Sequence, residues 1–319
     1  MNVLLTGASG FVGSALLARL LADGKHRARG AYRRLPDWLA PGAQTCVVAD
    51  LGPDVDWQMA LSDIDIVVHC SARVHVMAEQ AVDPLMEFRR ANVEGTLRLA
   101  NQAVEAGVKR FVFLSSIKVN GEGTDFGKRY TADDSPAPSD PYGVSKLEAE
   151  QGLLALGAKT GMEVVIIRPV LVYGPGAKAN FRNMMSWLSK GVPLPFGLIH
   201  NQRSLVALGT LVDLIVTCLE HPAAANQIFL VSDGEDLSTT QLLRRMGQAL
   251  GKSPLLLPVP QGWLSGAANM LGKGAVAQRL CGSLQVDMQK TCQVLGWTPP
   301  LTVDEALGEA ARHFLAHRA

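Results

Sequence analysis

Net charge, paired cysteines and long apolar runs are what this 319-residue chain has least of. Thirty basic and 29 acidic side chains leave a formal net charge of +1. That balance removes any broad electrostatic drive toward DNA, RNA or an anionic membrane, so no nucleic-acid partner is expected. The five cysteines, Cys46, Cys70, Cys218, Cys281 and Cys292, are scattered and never spaced as CxxC. Neither a disulfide framework nor a zinc site is suggested, no metal is expected, and a reducing cytoplasm is the simplest setting. The longest apolar stretches, such as 162–172, are broken by Glu163, Arg168 and Pro169 and are too short to span a bilayer. Met1 leads directly into Asn2-Val3-Leu4-Leu5-Thr6, which reads as a strand and not as a signal peptide. No membrane insertion is expected.

What is present is material for a large core. With 48% apolar and 18% charged residues the chain cannot be disordered, and its length suits one large domain or two coupled ones. Short β-branched runs near 2–6, 28–32, 45–49, 64–69, 110–115 and 163–168 alternate with amphipathic segments near 11–22, 54–61, 84–107 and 142–160. The strands are nearly all apolar, as when both faces of a sheet are covered. This pattern predicts an α/β fold, a Rossmann-type doubly wound parallel sheet over 1–174 with a segment near 203–231 returning to it. Residues 175–202 and 232–319 read as a smaller, mostly helical substrate lobe.

Directly after the first strand comes Thr6-Gly7-Ala8-Ser9-Gly10-Phe11-Val12-Gly13, a TGxxGxxG string running into a helix. Gly7 permits a tight turn, Gly10 lets backbone approach a pyrophosphate, and Gly13 lets helix and strand pack closely. Ser9, Phe11 and Val12 belong to the same cofactor-binding loop, and the helix N-terminus offers N–H donors to phosphate. Where an NAD site would carry an acidic residue at the end of the second strand, this chain has Arg33 and Arg34. Arg suits a 2′-phosphate, so NADP(H) is favoured over NAD(H), which stays possible. Asp50 and Leu51, after the third strand, are candidates to cap the adenine edge.

The strand at 110–114 ends in Ser115-Ser116, and 26 residues beyond Ser116 stands Tyr142-Gly-Val-Ser-Lys146. Hydride transfer at a carbinol or carbonyl carbon needs one group that gives and takes the proton on oxygen. Tyr142 suits that task if its hydroxyl is acidified. A Lys146 ammonium ~6 Å away at an effective dielectric of ~20 contributes about 3 kcal/mol, or roughly two pKa units. Ser116 can hold the same oxygen, and Lys146 can also bond the nicotinamide ribose.

These motifs, with Val67–Ala72 (VVHCSA), Asn92-Val-Glu-Gly-Thr96 and Val172-Tyr-Gly-Pro175, resemble the extended short-chain dehydrogenase/reductases, the group of UDP-galactose 4-epimerase and the nucleotide-sugar 4,6-dehydratases. The resemblance runs over essentially the whole chain. It implies a Ser116, Tyr142 and Lys146 triad, with Ser71 and Ala72 beside the adenosine ribose and Asn92 supporting the cofactor side. It implies that His69 packs under the cofactor loop, and that Asn180, Arg203 and, more loosely, Arg279 hold the diphosphate of a UDP-sugar. It also implies a homodimer through the helices at 84–107 and 142–160, whose Leu147, Leu153, Leu154 and Leu156 exceed what one sheet face needs.

Departures from the family pattern suggest the reaction. Dehydratases carry Asp-Glu where this chain has Ile117-Lys118, which cannot run an elimination. Epimerases usually carry Asn at Leu171 and Tyr at Asn120, so a changed sugar subsite is expected. Stretches such as 115–121, 203–208, 232–240 and 280–287 resemble bacterial 4-ketoreductases that reduce UDP-4-keto-6-deoxy-N-acetylglucosamine for O-antigen and other surface polysaccharides. The expected reaction is therefore NAD(P)H-dependent reduction of a UDP-4-keto-6-deoxy-hexosamine. A UDP-hexose 4-epimerase with tightly held NAD and a non-catalytic NADP(H) sensor are the alternatives.

Overall fold

In a computed structural model of the protein, the described residues are 1–37, 39, 42–74, 83–125, 127–270, 272 and 274–317, without the side chains of 179, 180, 267, 268, 275–277 and 279. The chain begins with β1 (Asn2–Thr6), α1 (Phe11–Asp23), β2 (Arg27–Tyr32), β3 (Gln44–Val47), α2 (Gln58–Leu61) and β4 (Ile66–His69). It continues through α3 (Pro84–Phe88), α4 (Gly95–Glu105), β5 (Arg110–Leu114), α5 (Pro141–Thr160), β6 (Glu163–Pro169) and β7 (Leu171–Tyr173). Then come α6 (Ala179–Ser189), β8 (Arg203–Ala207), α7 (Leu208–Glu220), β9 (Gln227–Val231), β10 (Asp236–Leu237) and α8 (Thr239–Ala249). The last helices are α9 (Gln261–Met270), α10 (Gly274–Cys281), α11 (Gln289–Leu295) and α12 (Val303–Ala316).

Seven strands form one sheet in the order β3-β2-β1-β4-β5-β6-β9, every neighbouring pair parallel. Successive side chains on a strand point to opposite faces, and here both faces are buried. Val3, Leu5, Val68, Val112 and Ile167 join one core with Leu16, Leu20 and Leu211 of α1 and α7. Leu4, Val67, Phe111, Phe113 and Ile166 join the other with Leu99 and Leu153 of α4 and α5. Those two cores are why the strands read as nearly unbroken apolar runs. The order reverses between β1 and β4, which opens a crevice at the carboxyl ends of the strands. A second sheet, β10-β8-β7, carries the third core, in which Tyr173 and Leu205 meet Met185, Leu243 and Leu307.

Local departures from the sequence expectation have physical causes. The expected helix at 84–107 contains a π-helical turn at Arg89–Glu94. The extra residue in that turn carries Asn92 inward, where it is buried. The expected helix at 54–61 is helical only from Gln58, because the Gln102 side chain captures the preceding backbone: its Oε1 accepts from Trp57 N at 2.6 Å and its Nε2 donates to Val55 O at 2.8 Å. Of the leucines that suggested a dimer, Leu153, Leu154 and Leu156 pack on the core of their own sheet. Gly152 also lets α5 approach the Leu97 side chain of α4 closely, since an added Cβ would lie 2.7 Å from it. Among the described residues no helix is long and apolar enough to cross a membrane.

Candidate active site

The glycine loop is built so that only glycine fits. Gly7 has φ +70°, and a Cβ there would also meet Ser71 N at 2.9 Å. At Gly13 a Cβ would stand 2.1 Å from Gly7 O, so α1 lies directly on the loop that precedes it. Gly10 N donates to Gly7 O at 2.8 Å, and Gly10 caps α1 without any side chain on the helix N–H groups. Ser9 and Gly10 are exposed and Phe11 and Val12 half-buried. This shape, a backbone cradle that a side chain would fill, fits the pyrophosphate of a dinucleotide.

Neutral hydrogen bonds fix the floor of that cradle. His69, fully buried, shares bonds with Thr6 Oγ1 at 2.7 Å and Thr96 Oγ1 at 3.0 Å and stacks on Phe113. Burial, with Lys146 adding, pushes its pKa down to about 3, so the ring is uncharged and structural. Thr6 Oγ1 in turn accepts from Ser71 N at 3.3 Å. Ser71 and Ala72 are half-buried after β4. Asn92 ties the same loop to α5: it accepts from Arg73 N at 2.8 Å and donates to Arg73 O and Ser145 Oγ, both at 3.0 Å. Asn92→Ala strands those partners and is expected to destabilise the protein by about 2 kcal/mol. An unchanged urea midpoint would contradict this.

Asp140 and Pro141 start α5 so that Tyr142 lies in its first turn, with Asp140 Oδ1 accepting from Gly143 N at 2.6 Å. Lys146 follows one turn later on the same face. Ser116 caps the short 3₁₀ turn Ile117–Val119 after β5, its Oγ accepting from Lys118 N at 3.2 Å, and it hydrogen-bonds Tyr142. Ser116 and Tyr142 thus meet, with Lys146 one turn further along α5 and the Tyr142 ring edge-on to Phe88 at 6.0 Å. Lys146 is 1% exposed, and its Nζ lies 3.9 Å from the Phe113 ring centroid.

Burial works against the expected acidification of Tyr142. Burial pushes its pKa up to about 12, the Asp140 charge adds to this, and the Ser116 hydrogen bond pulls the other way. Burial also pulls Lys146 down to about 7, against Glu150 and Cys70. Burial thus loosens the hold of Lys146 on its proton, which works against the simple Coulomb argument.

Other expected site residues are placed as follows. Exposed Arg33 lies 3.3 Å from the Asp50 carboxylate, which also accepts from Leu51 N at 3.0 Å, so Asp50 is tied to Arg33. Arg34 is exposed. Arg203 on β8 is half-buried, donates to Gly282 O at 3.1 Å, and has its pKa lowered by burial against the pull of Glu122. Glu122 pairs with Lys118, which also pairs with Asp140, so this charge ladder runs from Arg203 to the start of α5. The side chains of Asn180, in α6, and Arg279, in α10, lie outside the described residues. Asn120 corrects the sugar-subsite expectation: it is 1% exposed and bonded to Arg168 and Thr131 O, part of the scaffold behind the site. Leu171, in contrast, is 54% exposed on β7. Sequence reasoning passed over Ser115, Glu150 and Arg168. Only the i,i+4 spacing of Lys146 and Glu150 signals them, and that spacing is common on any helix.

The model of the NAD dependent epimerase/dehydratase family matches residues 3–232. A UDP-glucose 4-epimerase of Vibrio cholerae is 47% identical over 315 residues, covering 98% of this chain and 95% of that protein. A structure of MoeE5 with UDP-glucose and NAD covers all of both chains at 26% identity and TM-score 0.78. One of the Thermotoga maritima UDP-glucose 4-epimerase with UDP-glucose covers 99% of both at 22% identity and TM-score 0.77, a likeness of fold.

Proposed function

The chain belongs to the NAD dependent epimerase/dehydratase family, and on that premise we propose that it is a UDP-hexose 4-epimerase working with NAD that stays bound. The observation that carries this reading is the 47% identity, over 98% of the chain, to a UDP-glucose 4-epimerase. It reverses the preference for a reductase that the motifs alone suggested. One support of that preference is weakened, because Asn120 is buried and its amide is engaged by Arg168 and Thr131. The dehydratase alternative finds no support either, since Ile117 is buried and Lys118 is ion-paired to Glu122 and Asp140.

When bound, NAD supplies hydride acceptance and return at sugar C4. Gly7, Gly10 and Gly13 with the start of α1 would hold its pyrophosphate, and Lys146 its nicotinamide ribose. Tyr142 would take the proton of the C4 hydroxyl and give it back to the same oxygen once hydride has returned to the opposite face of C4, while Ser116 fixes that oxygen. Arg203 would neutralise the UDP diphosphate. Burial holds Tyr142 as a neutral phenol at rest, and in this reading a charged Lys146, one turn further along α5, favours the phenolate that accepts the substrate proton.

NAD is the proposed cofactor, because the Arg33 guanidinium is engaged with Asp50. Arg33→Ala with Arg34→Ala breaks only an exposed ion pair and is expected to change NADH affinity by less than about fivefold. A loss of tenfold or more confined to NADPH would return Arg33 and Arg34 to a 2′-phosphate. The 4-ketoreductase is retained as a second reading on one observation, Leu171, whose exposed side chain stands where epimerases usually carry Asn. Purified protein incubated with UDP-glucose and no added nicotinamide separates the two. The epimerase yields the C4 epimer, whereas no conversion, with NADPH oxidised on a UDP-4-keto-6-deoxy sugar, would favour the reductase.

A further inference from the structure

Behind Lys146 lies a buried charge cluster that stability does not explain. Glu150 is one helical turn further along α5 and 1% exposed, and Arg168, near the end of β6, is 2% exposed. Arg168 Nε donates to Glu150 Oε1 at 2.9 Å and Nη2 to Oε2 at 2.5 Å. The Ser115 hydroxyl donates to the same Oε1. Arg168 Nη1 donates to Asn120 Oδ1 at 3.0 Å, and Asn120 Nδ2 to Thr131 O at 3.0 Å. Desolvating two ions costs about as much as their attraction returns, and apolar replacements of such pairs are often neutral or better. A pair this deep, beside a functional lysine, invites a role in the chemistry.

The groups facing Lys146 come from three elements and the loop after β4. Tyr142 and Glu150 share its helix, Cys70 follows β4, His69 ends β4, and Arg168 stands on β6 beyond Glu150. Burial keeps His69 and the Cys70 thiol neutral, the thiol being pushed up to about 12, and Tyr142 rests protonated. Among the described residues facing Lys146, Glu150 is therefore the one negative charge. Ser115 and the Arg168 fork hold its carboxylate in a single place, so its distance from Lys146 is set by packing of β5, β6 and α5.

We propose that Glu150 is a positioning residue that raises the proton affinity of Lys146 through space, its buried carboxylate held by Ser115 and the Arg168 fork one helical turn from the lysine. The proposal rests on reading Tyr142 and Lys146 as the proton-handling pair, and it adds a group that touches neither sugar nor dinucleotide. Glu150→Gln keeps the shape but leaves two cations with no counter-charge. Lys146 is the one that can yield, because Arg168 cannot lose its proton.

The test is a pH titration of the full-length protein labelled with ¹³Cε-lysine and followed by NMR, with Lys146 assigned as the resonance missing in Lys146→Met. The Lys146 midpoint in Glu150→Gln is expected at least tenfold lower in proton affinity than in the parent. A midpoint unmoved within about twofold would overturn the proposal. Should Glu150→Gln fail to fold, Glu150→Gln with Arg168→Met removes both charges together and keeps the volume. A lowered midpoint is expected there too, and an unmoved one again overturns the proposal. In turnover, the alkaline limb of the pH–rate profile should move to lower pH in step with the titration, whereas a merely structural role would lower kcat evenly at every pH. If the midpoint moves while Tyr142→Phe and Lys146→Met keep full turnover, the assignment of the catalytic pair falls and the electrostatic role of Glu150 stands.

Discussion

Tyr142→Phe is expected to lower kcat by about a thousandfold while leaving NAD affinity within a few fold, because general acid–base catalysis of this kind contributes roughly 10²–10⁴. The hydroxyl reaches Ser116 and the crevice, whereas the dinucleotide cradle is made by the backbone of residues 7–13. The ring itself, edge-on to Phe88 at 6.0 Å, stays in place in the variant, so the loss is one of chemistry and not of fold. Steady-state turnover together with a fluorescence titration of NADH separates these effects. Parental turnover in Tyr142→Phe would remove Tyr142 from the mechanism, and a collapse of NADH binding would mean that the side chain shapes the cofactor site.

Gly13→Ala is expected to do the reverse, damaging the cradle and only through it the chemistry. Its Cβ would lie 2.1 Å from Gly7 O and 2.7 Å from Gly7 C, both backbone atoms that no rotamer change can move aside. α1 must shift off β1, which overpacks the first core at a cost of about 3 kcal/mol. Dinucleotide affinity should then fall by roughly tenfold or more, because the displaced loop and helix start no longer present their N–H groups to the pyrophosphate. Gly24→Ala provides the control. It adds a Cβ with nothing within 4 Å, at φ +62°, and should cost only about 1 kcal/mol with no effect on NADH binding. Equal NADH affinity in Gly13→Ala and the parent would show that the loop does not hold the pyrophosphate.

Much of this was legible in the sequence because strong local patterns coincided with tertiary need. The apolar strand runs announced a sheet covered on both faces, and the two cores supply that cover. Thr6 to Gly13 announced close backbone approach, and Gly13 shows how close. The reading was weakest where side chains act across long sequence separations. Gln102 unwinds the segment before α2 from 45 residues away, and Asn92 turns inward through a π-turn that periodicity cannot register. The acidity of Tyr142 is hard to read for a similar reason. Spacing on a helix gives the distance between Tyr142 and Lys146 but says nothing of the burial that raises one pKa and lowers the other. Asn120 looked like a subsite residue by position, and only the Arg168 and Thr131 contacts reveal it as scaffold.

The central claim is that hydride leaves and returns to the same sugar carbon within one site, with Tyr142 handling the proton. UDP-glucose deuterated at C4, incubated with the purified protein in ordinary water and no added nicotinamide, tests it directly by NMR and mass spectrometry of the product. The account expects the C4 epimer to form with deuterium retained at C4 and no NADH released. Loss of the label to solvent, or conversion that occurs only with stoichiometric consumption of added NADPH, would contradict it.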